Sequence, residues 1–230
     1  MGKLADDTLS PIKLNDRNLV IQQKAIGYWA NVISCQDSAR YVLSNFPANH
    51  RVFREIHENL DYALDEYIGG RILEFGVASG TSINYIAERT NELIDGFDSF
   101  KGLPEDWNPD FTKGAFAQDI PKVRNNIRLH VGLFEESIDT YLNDHPFEEG
   151  EVVGFIHIDC DLYSSTRTVF EKIGEKISTG TVIVFDEYFN HPYWQQNEHK
   201  AFMEFIEKRG LNFQYESYVE ENQQVTVRIT

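Results

Sequence analysis

Residues 152–166 read VVGFIHIDCDLYSST. An apolar run ends in two carboxylates, Asp159 and Asp161, and a helix-start signal follows. The pattern recurs at residues 181–185, TVIVF, which end in Asp186 and Glu187, 27 residues after Asp159 in the case of Asp186. Short apolar runs joined by one helix-sized crossover predict neighbouring parallel strands. Adjacent strands lie about 4.8 Å apart, so the acids would stand side by side at one edge of a sheet. Ligands of open α/β sheets bind beyond the carboxyl ends of the strands. That edge is the candidate site.

Outward from this stretch the chain alternates strand and helix. Upstream, residues 71–76 (RILEFG) read as a strand, 77–82 as a Gly-containing turn, and a helix runs to about residue 89. A second strand at 93–97 ends in Asp98, a third is expected at 127–131, and 135–142 carry a helix. Downstream, Val169, Phe170, Ile173 and Ile177 mark the crossover helix. Residues 178–180 (STG) read as a turn before the strand at 181–185, and Phe202, Phe205 and Ile206 mark a further helix. Residues 211–218 and 223–229 alternate as a hairpin would, with Val225, Val227 and Ile229 on one face. The expected fold is α/β, a mostly parallel seven-stranded sheet with helices on both faces.

Before residue 70 the pattern is helical. Residues 1–15 are polar and read as a loose arm. Residues 17–45 carry one or two helices, which residues 47–50 (PANH) break. Val52, Ile56, Leu60, Ala63, Leu64 and Tyr67 follow at helical spacing, and Gly69 and Gly70 close that helix. An arm and helical cap over 1–68 and a ligand-binding core over 69–230 are expected.

A formal net charge of −16 in 230 residues disfavours nucleic acid, whose phosphates need Lys and Arg, and anionic membrane surfaces. Cys35 and Cys160 are too few for a disulfide framework or a Cys-rich zinc site. The first residues carry neither an apolar signal segment nor a myristoylation pattern, and no apolar run reaches membrane-spanning length. A cytoplasmic protein is expected.

Two groups of residues point to chemistry. Residues 74–80 (EFGVASG) join the first core strand to its helix by a G-x-x-x-G turn, not the G-x-G-x-x-G of dinucleotide folds. Glu74 ends the strand where an acid can meet a cationic ligand, Gly76 and Gly80 permit close backbone approach, and Asp98 is placed to bond a ribose diol. A nucleoside bearing positive charge, S-adenosylmethionine, suits these better than a pyrophosphate. At the other strand ends, Asp159, Asp186 and Glu187 would repel one another unless they shared a cation. Oxygen-only ligands favour Mg²⁺, Mn²⁺ or Ca²⁺ over zinc; the alternative is that these acids cap helices or face water. Ser164 or Ser165 reads as an N-cap. Tyr163 walls the site or packs, His157 is a core or a functional histidine, and His191 is a loop candidate for substrate contact.

Residues 97–104 (FDSFKGLP), 132–134 (GLF), 157–166 (HIDCDLYSST) and 185–188 (FDEY) resemble the macrocin O-methyltransferase family. The resemblance covers roughly residues 70–210. It implies a class I methyltransferase fold that uses S-adenosylmethionine and Mg²⁺ (or Mn²⁺) to methylate a sugar hydroxyl. By motif it implies Asp159, Asp186 and Glu187 as metal ligands and Asp161 as general base. Gly76, Ser79 and Asp98 are implied at the cofactor, and Ser99, Phe134 and Asp159 are grouped with them. Many members carry Asp-Asp where this chain has Asp186-Glu187. The expected partner is a small-molecule acceptor, a sugar or glycoside; a homodimer is left open.

The implied reaction is in-line attack of a hydroxyl oxygen on a sulfonium methyl, with Asp161 taking the proton. Methylation of a non-sugar acceptor such as a phenol shares this chemistry. A nicotinamide oxidoreductase would require a G-x-G-x-x-G turn or a Tyr-x-x-x-Lys pair, and the sequence has neither. A non-enzymatic binding module would have lost cofactor or metal residues, and both sets are present. Residues 99–121, rich in Gly, Pro, Trp and Phe, read as a lid or a disordered insert. Trp107, Phe111, Phe116, Tyr188, Tyr193 and Trp194 either wall a sugar ring, pack, or form a dimer contact.

Overall fold

Strands form here where short apolar runs can be covered on both faces. The computed structural model describes residues 25–230; the arm expected at 1–15 lies outside them, as does the first part of the helical region, 17–24. Six α-helices are described: α1 (Ile26–Asn45), α2 (Ile56–Asp65), α3 (Thr81–Ala87), α4 (Phe134–Asp144), α5 (Tyr163–Ile173) and α6 (Glu198–Arg209). The strands are β1 (Arg51–Phe53), β2 (Arg71–Phe75), β3 (Ile94–Asp98), β4 (Ile127–Val131), β5 (Val153–Ile158), β6 (Ile177–Phe185), β7 (Phe213–Val219) and β8 (Val225–Ile229). They make one sheet in the order β1-β7-β8-β6-β5-β2-β3-β4. Only β8 runs antiparallel to its neighbours, β6 and β7. The seven expected strands are present, and β1 adds a short eighth at the edge.

Alternation along the strands divides the core. Leu73, Phe75, Ile156, Ile158, Ile183 and Phe185 pack with residues of α4, α5 and α6. Ile72, Phe155, Val182 and Val184 face the other way, against Leu60 and Ala63 of α2 and Ile83 and Ile86 of α3. Burying each such side chain stabilises by about 1.5–3 kcal/mol, and Phe155→Ala would cost about 3–5 kcal/mol through the cavity it leaves.

Local chemistry moves three expected boundaries. Val52 lies in β1, paired with Tyr218 of β7, because the helix starts only at Ile56, where Glu55 and Glu58 form a capping box. That helix closes at Asp65, ahead of Gly69 and Gly70. Gly70, at φ 106°, instead lets the chain pass β5, since a Cβ there would lie 2.7 Å from the Val152 carbonyl oxygen. Residues 178–180 are not a turn before a strand but a bulge inside β6. Ile177 pairs with Val153 and Val182 with Phe155, and the extra residues loop out between. The Ser178 N–H donates to Thr181 Oγ1 (3.2 Å), which donates to the Val153 carbonyl (2.7 Å), so the bulge is satisfied without leaving the sheet.

Candidate active site

From β2 the chain builds outward through β3 to β4, then crosses back to place β5 and β6 on the other side of β2. Strand order reverses between β2 and β5, and a crevice opens at the carboxyl ends of such a pair. The ladder continues past the named strands: Asp159 N–H donates to the Phe75 carbonyl and Asp186 N–H to the Ile158 carbonyl, both at 2.8 Å. Gly76, at φ 91°, is required by this junction, because a Cβ there would sit 1.7 Å from the Asp159 carbonyl oxygen.

A cleft of about 430 Å³ occupies the crevice. Of the residues singled out in the sequence, Gly76, Asp98, Ser99, Phe134, Asp159, Asp161 and Glu187 line it. Ser79, Gly80, Glu74 and Asp186 do not. Ser79 bonds Thr81 Oγ1 at 2.8 Å, and Gly80 starts α3 in a left-handed conformation beside Asn84 and Pro121. Asp98 organises the turn that Gly76 begins. Its Oδ2 accepts from the N–H groups of Val77 (2.9 Å) and Ala78 (2.8 Å), and its Oδ1 from Phe100 N–H (2.7 Å). These bonds hold Ala78 at a positive φ of 42°.

Glu74 is fully buried on the α2–α3 side of the sheet rather than presented to the cleft. Its Oε1 accepts from Ser82 Oγ (2.9 Å), and its Oε2 lies 3.2 Å from His157 Nδ1. The other ring nitrogen of His157 is 3.8 Å from Asp186 Oδ1. Burial works against a charged His157, but the carboxylates of Asp186 and Glu74 outweigh it and hold its pKa well above the ordinary value. Asp186, also bonded by Gln224 Nε2 at 2.9 Å, is held below the usual range despite its burial, chiefly by His157. His157 thus lies buried between two acids beneath the site, which favour its protonated form.

On the cleft side, one carboxylate oxygen each from Asp159, Asp161 and Glu187 lie within 4.8 Å of one another. The group contains Asp161 and not Asp186. Asp161 sits at φ 59°, and Leu162 N–H closes a tight turn onto the Cys160 carbonyl at 2.6 Å. Burial and the charge of Asp186 raise both Asp159 and Asp161, the latter to about 7. Glu187 is raised well above its usual range by burial and by Asp159 and Asp186. Its Oε2 is buried with no hydrogen-bond partner among the described residues. No Lys, Arg or His lines the cleft among the described residues. An all-carboxylate donor set with an orphaned oxygen fits a hard divalent cation.

Sequence reasoning missed Glu198, the first residue of α6. It is fully buried and accepts from the N–H groups of Cys160 (3.1 Å) and Glu187 (3.2 Å). Burial raises its pKa to about 8. An acid in a first helical turn reads simply as a favourable dipole partner, and only burial sets it apart.

The expected N-cap role of Ser164 and Ser165 is corrected. Leu162 is the cap residue, without a side-chain bond, and both serines line the cleft from the first turn of α5. Ser164 Oγ donates to Glu105 Oε1 at 2.6 Å and so ties α5 to the 99–121 loop. That loop is folded over the cleft. Leu103 N–H donates to the Ala115 carbonyl and Gly114 N–H to the Leu103 carbonyl, both at 2.9 Å, and Leu103, Pro104, Glu105 and Phe116 line the cavity. Trp107 stacks on Phe111 and meets His191 edge-on. His191 bonds the Glu187 carbonyl (3.2 Å) and is held below its ordinary pKa by burial. Tyr188 and Trp194 are core residues, with Tyr188 Oη 2.5 Å from Tyr215 Oη. Tyr193 is exposed, and Tyr163 bonds Glu204 at 2.6 Å.

The sheet order, its single antiparallel strand and the cleft at the switch point are those of a class I methyltransferase. A family model described as "Methyltransferase domain" matches residues 73–188, and the chain belongs to that family. No curated protein matches the sequence. Among solved structures, the calicheamicin methyltransferase CalS11 is 19% identical with a TM-score of 0.61, over 98% of this chain and 99% of that one. The O-methyltransferase NovP is 18% identical with a TM-score of 0.56, over 75% and 78% of the two chains. A further structure of CalS11, described as a TDP-rhamnose 3'-O-methyltransferase, is 20% identical with a TM-score of 0.54, over 75% and 77%. At these identities the likeness is one of fold. Membership of a methyltransferase family sets aside the nicotinamide alternative. No helix among the described residues is long and apolar enough to cross a membrane.

Proposed function

We propose that the protein is an S-adenosylmethionine-dependent O-methyltransferase, assisted by Mg²⁺ or Mn²⁺, that methylates a hydroxyl of a sugar or sugar-containing small molecule. The observation that carries this reading is the convergence of Asp159, Asp161 and Glu187 on the cleft of a methyltransferase fold, with the buried Oε2 of Glu187 unpartnered. The macrocin-type motifs and the sugar-modifying activity stated for CalS11 support the acceptor class. Asp159 and Glu187 would hold the cation with one oxygen of Asp161, in place of the Asp186 that the motifs imply. S-adenosylmethionine supplies an electrophilic methyl, and the cation a positive charge that favours ionisation of a hydroxyl.

The chain's own residues do the rest. Gly76, Ala78, Asp98, Ser99 and Phe134 shape the cofactor half of the cleft. The loop carrying Leu103, Pro104 and Phe116, which line the cleft, would limit the access of water to it. Asp161, which lines the cleft beside the proposed cation, would accept the hydroxyl proton on its second oxygen. The remaining contribution is alignment of oxygen, methyl and sulfur. Calorimetry with S-adenosylhomocysteine and Mn²⁺, followed by methyl-transfer assays on glycosides and phenols with and without EDTA, tests the reading. Full activity in EDTA would remove the cation, and a preference for phenols would move the acceptor class.

A further inference from the structure

We propose that Glu198 is a positioning residue that sets the spacing of the two acidic strand ends, and so prepares Asp159, Asp161 and Glu187 for a divalent cation. The inference rests on the cation reading given above. Glu198 belongs neither to the cleft lining nor to the carboxylate trio. Its two oxygens are divided between two segments. Oε1 accepts from Cys160 N–H, in the peptide between Asp159 and Asp161, at 3.1 Å. Oε2 accepts from Glu187 N–H at 3.2 Å. One side chain therefore spans the backbone that carries two members of the trio and the backbone that carries the third.

The brace is itself anchored. His199, the next residue, meets Tyr41 Oη of α1 at 3.0 Å through Nε2. Tyr188, next to Glu187, meets Tyr215 of β7 at 2.5 Å. The start of α6 and the turn after β6 are thus each held by a second contact, and Glu198 joins them. The task demands a carboxylate of this length. Two amide donors need two acceptor oxygens, whereas Gln offers one acceptor and turns an N–H toward the other donor. Asp keeps both oxygens and the charge but is one methylene short of spanning the gap. Groups that orient ligands from behind commonly tune metal affinity about 10–100-fold.

The test titrates the purified full chain with Mn²⁺, followed by electron paramagnetic resonance, with S-adenosylhomocysteine affinity and thermal melting as controls for folding. Glu198→Gln and Glu198→Asp are both expected to weaken Mn²⁺ binding about tenfold or more while leaving S-adenosylhomocysteine affinity unchanged. Wild-type affinity in Glu198→Asp would assign the effect to charge alone and overturn the positioning role, as would wild-type affinity in both variants. If Glu198→Gln does not fold, Glu198→Asp decides. Independently of any variant, Mn²⁺ is expected to slow hydrogen exchange at the Cys160 and Glu187 amides, and unchanged exchange overturns the inference. A wild-type chain that binds no Mn²⁺ overturns the cation reading and this inference together; wild-type binding with unaffected variants overturns this inference alone.

Discussion

The two ends of β5 place acids in opposite circumstances. At the amino end, Glu151 receives Nε and a terminal nitrogen of Arg71 at 2.8 and 2.7 Å, and the same guanidinium bonds Tyr141 Oη and the His145 carbonyl. On β3, Asp95 meets Arg128 at 2.6 Å and His130 at 2.8 Å. Arg71 holds Glu151 below the usual carboxylate range. Burial would raise Asp95, but His130 and Arg128 override it and hold it low. At the carboxyl end, Asp159, Asp161 and Glu187 are all raised, and no basic side chain lines their cleft among the described residues. Where the chain supplies its own cations, the acids serve stability. Where it leaves them facing each other, burial and mutual repulsion favour their protonated forms.

The sharpest way to break this contrast is at Asp159. Asp159→Ala is expected to lower kcat/KM by about 10³-fold while leaving the metal-free melting temperature unchanged or higher, since a repelled buried acid is removed. Loss of stability without loss of activity would make Asp159 equivalent to the acids of the other edge. Asp161→Asn keeps an oxygen donor. It should reduce kcat by about 10²-fold with Mn²⁺ binding largely retained, and methyl transfer at the wild-type rate at every pH would end the proton-acceptor assignment.

At the opposite edge the order of effects reverses. Arg71→Ala should cost about 2–3 kcal/mol in denaturant unfolding by stranding Glu151 and the His145 carbonyl, with kcat untouched. The two edges should also differ in their pH response. Asp161 and Glu198 titrate higher in the folded chain, at about 7 and about 8, than their ordinary 3.8 and 4.5. Their stabilising contribution is complete below the ordinary values and lost as pH rises through the folded ones. Metal-free protein should therefore melt progressively lower from about pH 6.5 to pH 8, above the range in which His191 and His199, both held below their ordinary pKa, add slope of the opposite sign; Asp186 and Asp98 are the charges that raise Asp161, and Asp161 and Asp186 those that raise Glu198. Mg²⁺ should flatten that decline. Asp95 and Glu151, held low, lose their contribution only as pH falls, so they add no slope near neutrality. A metal-free melting curve that is flat, or that rises, over the same range would remove the proposed repulsion. The smallest effect belongs to the lid. Glu105→Ala removes the Ser164 bond and should raise the acceptor KM a few-fold, in line with one hydrogen bond of about 1 kcal/mol.

Period and spacing carried most of the architecture. The strands at β2, β3, β5 and β6 are readable because burial on both faces leaves apolar runs bounded by polar turns. The three-residue β1 was illegible, because its only partner, β7, lies more than 160 residues away in the chain. Ser164 shows the same limit on a smaller scale. Its neighbours suggested a helix cap, while its actual partner is Glu105, 59 residues earlier.

By itself, then, the sequence determined the α/β alternation and the gathering of acids at the ends of β5 and β6, since local period fixes which face a residue takes while the chain stays extended. The tertiary structure alone decided which acids converge. Past the last ladder residue the strand period no longer governs direction. Asp161 enters the cleft through a left-handed turn, while Asp186, still on the ladder, keeps the face of Val184 and meets His157 and Gln224, and Glu198 arrives from a different helix to bond both strand ends.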